Sequence, residues 1–239
     1  MLLNEHENNG VKLHMNSKVA EITKDAEGRV TGVVLADGKK LSVDMVVLGA
    51  GVAPRTEFLA RTECGIKTDE AGAVVCDPFL QSSQKDIFAA GDVCSFPSWQ
   101  TGRPTRVEHW SHALDQGTNA AYNMLGKCVP YGNTPFYWTQ HYDKSLQYVG
   151  QCESYDEVHI DGDLAANKFV AYYIKDGKIR AVAGQGRSAD MLTMFEAFNQ
   201  NKVPSPDAVK SGSATPESLR KTLQAGKSSR CKRMANIEK

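Results

Sequence analysis

Alternating apolar and polar side chains mark the first part of the chain as a series of short β-strands. Two turn-forming dipeptides, Glu27-Gly28 and Asp37-Gly38, separate these stretches, and the second is a strong hairpin signal. We therefore expect neighbouring strands to pair as antiparallel hairpins. The predicted strands span residues 11–15, 18–23, 30–35 and 41–48.

The last of these stretches ends in the continuous apolar run Met45-Val-Val-Leu48, a composition typical of a strand covered on both faces. The run leads directly into Gly49-Ala-Gly51-Val-Ala-Pro54. A dinucleotide-binding loop would have a third glycine at position 54, because that glycine lets the next helix pack closely on the sheet. Without it, a tight turn at the strand end is favoured over a phosphate-binding loop, and both interpretations stay open.

A second apolar stretch, residues 86–90, predicts a strand that ends in Gly91-Asp92. A carboxylate at the C-terminal end of a parallel strand lies where open α/β sheets bind ligands, and it can accept a hydrogen bond from a sugar hydroxyl. A simple Gly-Asp turn or a helix cap accounts for the same residues. On composition alone, the turn or cap is the stronger interpretation.

The second half of the chain changes pattern from helix to strand. Small and apolar positions recur at helical spacing over residues 111–125, which predicts a helix that packs closely on a neighbour. Strand-like runs then follow one another from residue 136 to 183, and a helix is predicted over 188–199. Consecutive strands joined by turns and followed by one helix indicate an antiparallel α+β domain.

Composition and charge exclude several classes of protein. The chain has 239 residues, of which 41% are hydrophobic and 23% charged, so it is not a disordered or collagen-like protein. The 28 basic and 28 acidic residues balance, which makes nucleic-acid binding an unlikely function. The charge is uneven, however: from Lys210 onward there are eight basic and two acidic residues, and we expect this Ser- and Lys-rich tail to be disordered.

Segments that would target or anchor the chain are not evident in its sequence. No apolar run approaches the roughly 18 residues that span a bilayer, and the first residues do not resemble a signal peptide. The six cysteines include no Cys-x-x-Cys pair, which argues against a zinc site and suits reduced thiols. We expect an intracellular protein, in the cytoplasm or the mitochondrion.

The densest group of reactive side chains is Glu108-His109-Trp-Ser-His112 with Asp115. On a helix these residues could be read as a metal site, but polar residues at a helix start more often cap it. No Gly-x-Ser-x-Gly elbow positions a serine as a nucleophile. We therefore predict neither a metal nor a catalytic side chain.

Four segments taken together resemble one family in order and spacing. They are Val-Val-Leu-Gly-Ala-Gly-Val-Ala-Pro-Arg-Thr-Glu-Phe (46–58), Asp-Ile-Phe-Ala-Ala-Gly-Asp (86–92), Arg-Val-Glu-His-Trp (106–110) and Pro-Phe-Tyr-Trp (135–138). The chain is similar to the C-terminal half of the FAD-dependent pyridine-nucleotide oxidoreductases, in the ferredoxin-reductase branch that includes apoptosis-inducing factor. Lys-Ser-Leu-Gln-Tyr-Val-Gly (144–150) further resembles the members of that branch that carry a Rieske domain. The chain itself has neither glycine fingerprint and no Rieske ligand set.

The resemblance implies an α/β architecture with partial FAD- and NAD(P)-binding Rossmann-like domains, followed by a C-terminal antiparallel α+β domain. Residues 1–48 would end the NAD domain and 49–127 would be the returning segment of the FAD domain. Residues 128–203 would form the C-terminal reductase domain, and 204–239 a basic, disordered tail. Since the chain begins in the middle of a domain on this reading, we expect a fragment or a shortened form.

The resemblance also implies roles for individual residues. Asp92, after Gly91, would hydrogen-bond the ribitol chain of FAD, while the backbone of Val93 approaches the flavin phosphate and ribitol. The remaining implied contacts are those of Gly51 at the crossover into the FAD domain, Glu108 and His109 beside the isoalloxazine and nicotinamide, and Trp138 packed by the isoalloxazine. The helix that begins near Ser111 would point its positive end at the pyrimidine edge of the flavin. We expect Asp92 and Trp138 to border one shared ring system.

Two functional hypotheses follow. The first is a flavoprotein that takes hydride from NADH or NADPH and passes electrons to an iron–sulfur centre or a quinone, with little activity for this chain alone. A homodimer is possible in that case. The second is a non-enzymatic interaction or regulatory protein that acts through the C-terminal domain and the basic tail.

Overall fold

The computed structural model describes residues 2–61 and 64–225. The chain divides into two compact units, one from Met1 to Val52 and one that starts at Ala53. Within the described residues, no helix combines the length and the apolar character that crossing a bilayer requires. Mixed helices and strands in both units agree with the predicted α/β class, and an antiparallel sheet is present in the C-terminal part.

The first unit is a helix followed by a small antiparallel sheet. Strand β2 lies in the middle of the sheet and buries Val33 and Leu35. Both predicted turn glycines, Gly28 and Gly38, adopt positive φ angles, of 82° and 85°. The elements are α1 (Leu2–Asn8), β1 (Val19–Lys24), β2 (Val30–Leu35) and β3 (Lys40–Ser42).

Two strands predicted in this unit are wrong. Residues 11–15 form no strand, and the predicted strand 41–48 is limited to its first two residues, within β3. Met45, Val47 and Leu48 are between 74% and 84% exposed rather than covered on both faces. The physical reason is that a buried strand needs a hydrogen-bonding neighbour. Among the described residues, no strand pairs with residues 45–48.

The second unit begins with a short three-stranded sheet and a long helix. Strands β4 and β5 are parallel, β5 and β6 are antiparallel, and their core contains Leu80, Cys94 and Phe96. The elements are α2 (Glu57–Arg61), β4 (Val74–Val75), a 3₁₀ turn (Gly91–Val93), β5 (Cys94–Pro97), β6 (Pro104–Thr105) and α3 (Trp110–Met124).

The strand predicted over residues 86–90 is also wrong. Only Phe88 takes part in a β-bridge, with Gln81. Asp86 adopts a left-handed conformation with φ 63°, and the amide of Ser82 donates a hydrogen bond to the carbonyl of Ile87. The segment is therefore a turn-rich loop that delivers the chain to Gly91.

The C-terminal part is the predicted antiparallel sheet with a helix packed on it. The strand order is β7-β8-β11-β10-β9, and every pair is antiparallel. Helix α4 contributes Met191, Met194 and Phe198 to the core beside Val149 and Val182. The elements are β7 (Phe136–His141), β8 (Lys144–Gly150), β9 (Glu157–Asp163), β10 (Lys168–Lys175), β11 (Lys178–Gln185) and α4 (Ser188–Asn199).

The segment expected to be a disordered tail is folded as far as residue 225. It forms α5 (Pro206–Lys210) and α6 (Pro216–Ala225), and Leu219 and Leu223 are buried in the core of the C-terminal sheet. The prediction failed because two leucines one helical turn apart give an otherwise polar segment an apolar stripe. The remainder of the expected tail, residues 226–239, lies outside the described residues.

Helix α6 is also held by an ion-pair network. The carboxylate of Asp190 accepts a hydrogen bond from Nε of Arg187 at 2.7 Å and another from the guanidinium of Arg220 on α6. Arg187 reaches further, to the carboxylate of Asp161 on β9, also at 2.7 Å. Arg187 and Asp190 at the centre of the network are about one-sixth exposed, whereas Arg220 on α6 and Asp161 on β9 are 41% and 44% exposed.

We expect Asp190→Ala to lower the free energy of unfolding by about 2 kcal/mol, because it removes the shared partner of the largely buried Arg187, which keeps Asp161, and of the more exposed Arg220. Chemical denaturation followed by circular dichroism measures this change. The control is Lys221→Gln, which removes an exposed i,i+4 pair with Glu217 on α6 and should cost about 0.5 kcal/mol or less. Equal effects of the two substitutions would contradict the prediction.

Candidate functional site

The 3₁₀ turn at Gly91 is pressed against the first half of helix α3. Gly91 has φ 81°, and a Cβ added there would lie 3.3 Å from the Cβ of Ala113. Its amide donates a hydrogen bond of 2.7 Å to Oε1 of Gln116, a side chain with no solvent exposure. A residue without a side chain is therefore required here both by the backbone conformation and by the close approach of the helix.

The turn presents Asp92 to solvent while a neighbouring arginine holds its backbone. Nη1 of Arg106 donates a hydrogen bond of 3.2 Å to the carbonyl of Asp92 and forms a salt bridge of 2.6 Å with Oε1 of Glu108. The Asp92 carboxylate itself has no hydrogen bond or salt bridge to any residue that the structure describes. The next residue, Val93, is half-buried. One guanidinium thus ties the turn to the strand-like segment that leads into α3.

His109 links this group to the C-terminal sheet. It occupies the N-cap position of α3 in an extended conformation, and its side chain does not cap the helix. Its ring meets the ring of Tyr137 on β7 edge to face, with centroids 4.9 Å apart. Burial, and then the charge of Glu108, raise the pKa of the Tyr137 phenol. The N-terminus of α3 and the start of β7 are therefore in contact.

Trp138 follows Tyr137 on β7 and borders a cavity of about 310 Å³. His109 and Ser111 line the same cavity from the start of α3, and Phe195 lines it from α4. Trp138 is 64% exposed and the nearby Trp110 is 80% exposed. Two large aromatic side chains are thus open to solvent at the start of α3 and on β7.

The sequence-predicted residues therefore form two neighbouring groups instead of one pocket. Within the described residues, Asp92 does not line the cavity that contains Trp138, so the expectation of one hollow shared by both is not met. His109 is the residue that joins the two groups. Gly51 belongs to the other compact unit, where it is exposed, has φ 82° and would have nothing within 4 Å of an added Cβ.

His112 is a buried residue in the wall of the cavity that Trp138 borders. Its ring is 3% exposed, and Nδ1 lies 3.1 Å from the hydroxyl of Tyr131. Burial, and secondarily the charge of His109, lower its pKa to about 4. Within the ranges that the structure describes, no group of three or more His, Cys, Asp or Glu side chains could hold a metal ion. The alternative of a metal site at residues 108–115 thus has no geometric support in this region.

Three functional residues were not found from the sequence. They are Arg106, which bonds to the Asp92 carbonyl, Gln116, which joins the Gly91 turn to α3, and Tyr131, which contacts the buried ring of His112. Gln116 stands four residues after His112, so two polar side chains on one helical face were a signal that the stripe contacts polar groups. The partner of Arg106 was not detectable, because the bond goes to a backbone carbonyl 14 residues away in the chain.

The site also has the properties that a bound polar ring system requires. Nε2 of Gln116 is buried beside the turn and has no hydrogen-bond partner among the described residues. The first amides of α3 point out of the helix without a side-chain cap, and the positive end of the helix dipole favours negative charge there. A flavin provides acceptors, partial negative charge and a flat apolar surface, so the residues present fit it.

Two family models match the chain. Residues 1–117 match a family described as pyridine nucleotide-disulphide oxidoreductase, and residues 136–223 match a reductase C-terminal family. Together the two matches cover most of the residues that the structure describes.

Among curated proteins, apoptosis-inducing factor 3 of Mus musculus is 40% identical over 209 residues, which are 84% of this chain and 34% of the relative. Putidaredoxin reductase CamA of Pseudomonas putida is 30% identical over 199 residues, 82% of this chain and 44% of the relative. The chain thus spans between a third and a half of the length of these relatives.

Solved structures show the same likeness. A ferredoxin reductase for the CYP199A2 system from Rhodopseudomonas palustris matches with a TM-score of 0.78 and 33% identity, over 86% of this chain and 50% of the other. The covalent putidaredoxin reductase–putidaredoxin complex matches with a TM-score of 0.82 and 26% identity, over 93% of this chain and 53% of the other.

The buried His112 makes the stability of the second unit depend on pH. Its folded-state pKa of about 4 lies below its usual 6.5, so the unfolded chain binds a proton more readily. Stability is complete above pH 6.5 and falls as the pH drops from 6.5 towards 4, by about 3 kcal/mol in total from this group.

We expect His112→Gln to remove this loss, so that the free energy of unfolding varies less between pH 6.5 and 4.5 than in the unsubstituted protein. Denaturation curves at several pH values measure it. His14→Gln, at an exposed position in the first unit, serves as the control and should leave the pH dependence intact. An unchanged profile for His112→Gln would refute the assignment.

Proposed function

Because the chain belongs to the pyridine nucleotide-disulphide oxidoreductase family, we propose that it provides one wall of the flavin site of an FAD-dependent NAD(P)H oxidoreductase. The observation that carries this proposal is the turn at Gly91–Val93, which is fixed on α3 and whose Asp92 carboxylate has no partner among the described residues. A carboxylate in that setting is an acceptor for the hydroxyl groups of a sugar or polyol chain.

The proposed role of Asp92 is to accept hydrogen bonds from the ribitol hydroxyls, with the Val93 backbone nearby. Arg106 would keep the turn in place through the Asp92 carbonyl, and its salt bridge compensates the charge of Glu108. This pairing matters because an uncompensated carboxylate beside the ring system would oppose the negative charge that builds up there on reduction. Arg106 is thus a positioning residue in this proposal.

The start of α3 would complement the electron-rich edge of the ring. When bound, FAD accepts a hydride from the nicotinamide and releases its electrons to a further acceptor. The uncapped amides of α3 would stabilise negative charge at the pyrimidine edge, and His109 and Glu108 would border the ring and the nicotinamide. Tyr137 and Trp138 would exclude water from this side.

The same proposal assigns each part of the chain to a domain of such an oxidoreductase. Residues 1–48 would be the end of an NAD domain, 49–127 the returning segment of an FAD domain that begins near Gly51, and 128–203 the reductase C-terminal domain. The helices α5 and α6 extend that last domain to residue 225. The half to two thirds of the relatives' length that the chain does not span would have to supply the rest of the flavin site.

An iron–sulfur protein is the proposed electron acceptor. Support comes from the names of the relatives, which include a putidaredoxin reductase and its covalent complex with putidaredoxin. A quinone acceptor, a homodimer, the choice between NADH and NADPH, and a location in the cytoplasm or mitochondrion stay predictions.

Flavin binding by the full chain tests the proposal. Since the chain would provide only one wall of the site, we expect weak binding, seen as quenching of FAD fluorescence when purified protein is titrated into FAD. FAD fluorescence that stays unquenched at millimolar protein concentrations would contradict the proposed flavin-binding surface.

We further expect Gly91→Ala to weaken FAD binding by at least about tenfold, since the new methyl group pushes the turn away from Ala113. The matched control is Gly126→Ala, where φ is 75° but an added Cβ has open space around it. Both substitutions strain a positive φ, so only the close contact on α3 distinguishes them. Equal FAD affinities, measured by flavin fluorescence quenching, would contradict the proposed role of the turn.

A further inference from the structure

Two adjoining cavities lie on the second unit apart from the proposed flavin site. Their volumes are about 290 and 610 Å³, and they share Gln100, Lys178 and Arg180 as a common wall. The loop between β5 and β6 borders both, and the β10–β11 hairpin lies between them. Among the described residues, the sequence-predicted site residues line neither cavity. We call the two cavities together the basic groove.

The smaller cavity carries an excess of positive charge. Arg103, Lys175, Lys178 and Arg180 line it against two carboxylates, Glu153 and Asp176. Lys175 is neutralised by a salt bridge of 2.6 Å to Asp156. The other three cations form no salt bridge or side-chain hydrogen bond with residues that the structure describes.

This positive charge also acts on the thiol of Cys152 in the cavity wall. Burial raises its pKa, while the charges of Arg180 and Lys175 act in the opposite direction. Cations that converge on a concave surface without partners are the usual arrangement for binding a multiply charged anion such as phosphate.

A buried donor without a partner lies at the junction of the two cavities. Nε2 of Gln100 is out of contact with solvent and donates to no acceptor among the described residues. Ser98, Thr101 and Gln151 add polar groups to the smaller cavity. An acceptor oxygen on a ligand in the groove would satisfy the Gln100 amide, which otherwise stays an uncompensated buried polar group.

The larger cavity is lined by polar and apolar groups in about equal measure and includes an aromatic surface. The indole of Trp99, 36% exposed, lies against the backbone of Gly132, where an added Cβ would be 3.9 Å from the indole Cγ. Phe198, Val203 and Pro204 form further walls. A supported indole beside prolines and aliphatic side chains suits a flat aromatic ring, since ring faces stack on it at little cost.

We propose that the basic groove binds a mononucleotide-type ligand, with its phosphate at Arg103, Lys178 and Arg180 and its base beside Trp99. The observations that carry this proposal are the unpaired cations, the unpartnered Gln100 amide and the aromatic wall, which meet within one groove. The volumes are in the usual range for small-molecule sites. The proposal concerns a second site and does not depend on flavin binding.

Isothermal titration calorimetry on the full chain tests it, with AMP, inorganic phosphate and adenosine as separate probes. We expect AMP to bind at least about tenfold more tightly than inorganic phosphate or adenosine, because the charged wall and the aromatic wall then bind one ligand together. Equal affinities for AMP and phosphate would overturn the nucleotide assignment. Absence of AMP binding at millimolar concentrations would overturn the site.

Substitutions in the basic groove test whether AMP binds there. Lys178→Gln and Arg180→Gln should each weaken AMP binding by about tenfold, the usual effect of losing one charge-assisted hydrogen bond. Trp99→Ala should weaken AMP binding and leave phosphate binding unchanged. Lys168→Gln, an exposed lysine at the opposite end of β10, is the matched control and should have no effect.

Lys178 is exposed on a hairpin, so its substitution tests the site even if Arg180→Gln unfolds the protein, which thermal denaturation would reveal. Asp92→Ala should leave AMP binding intact. AMP binding that is lost in Asp92→Ala and retained in Lys178→Gln would assign the ligand to the other site and overturn the proposal.

Discussion

The close contact between the Gly91 turn and helix α3 is the constraint on which the rest of the site depends. A hydrogen bond from the Gly91 amide to the fully buried Gln116 fixes the distance between turn and helix, and Ala113 leaves no room for a side chain. Because α3 also holds His109 against Tyr137, displacement of the turn would disturb both the free carboxylate of Asp92 and the contact with the C-terminal sheet. A small residue and a buried amide thus determine where the polar groups lie.

Charge around this contact is arranged to leave one carboxylate free. Arg106 uses its guanidinium on the Asp92 carbonyl and on Glu108, so the side chain of Asp92 keeps its full capacity as an acceptor. The uncapped start of α3 adds a partial positive charge close by. Carboxylate acceptor, helix terminus and open aromatic rings are the complementary features of a polyol chain joined to an electron-accepting ring.

The pattern of apolar and polar residues predicted helices and strands well where local interactions determine the structure, and poorly where distant partners do. Strand β2 and helix α4 agree with the predictions residue for residue, since hairpin glycines and helical periodicity are encoded nearby in the chain. The stretch up to Leu48 was predicted to be a buried strand but is exposed, because a strand also needs a neighbour that local pattern cannot supply. At the proposed site, motifs indicated Asp92 and His109 as candidates, whereas Arg106 and Gln116 act through partners distant in sequence.

The basic groove and the proposed flavin site illustrate two different ways of leaving polar groups unpaired. At the flavin site the unpaired groups are one carboxylate and a helix terminus, whereas in the groove they are three cations and the buried amide of Gln100. Unpaired cations near one another repel, and folding must offset that cost. The apolar core of the C-terminal sheet, which includes Ile179 and Val182 of the same strand β11, and the Arg187–Asp190–Arg220 network offset that cost. The stability of this domain therefore does not require the groove to be neutral, and its charge is available for binding.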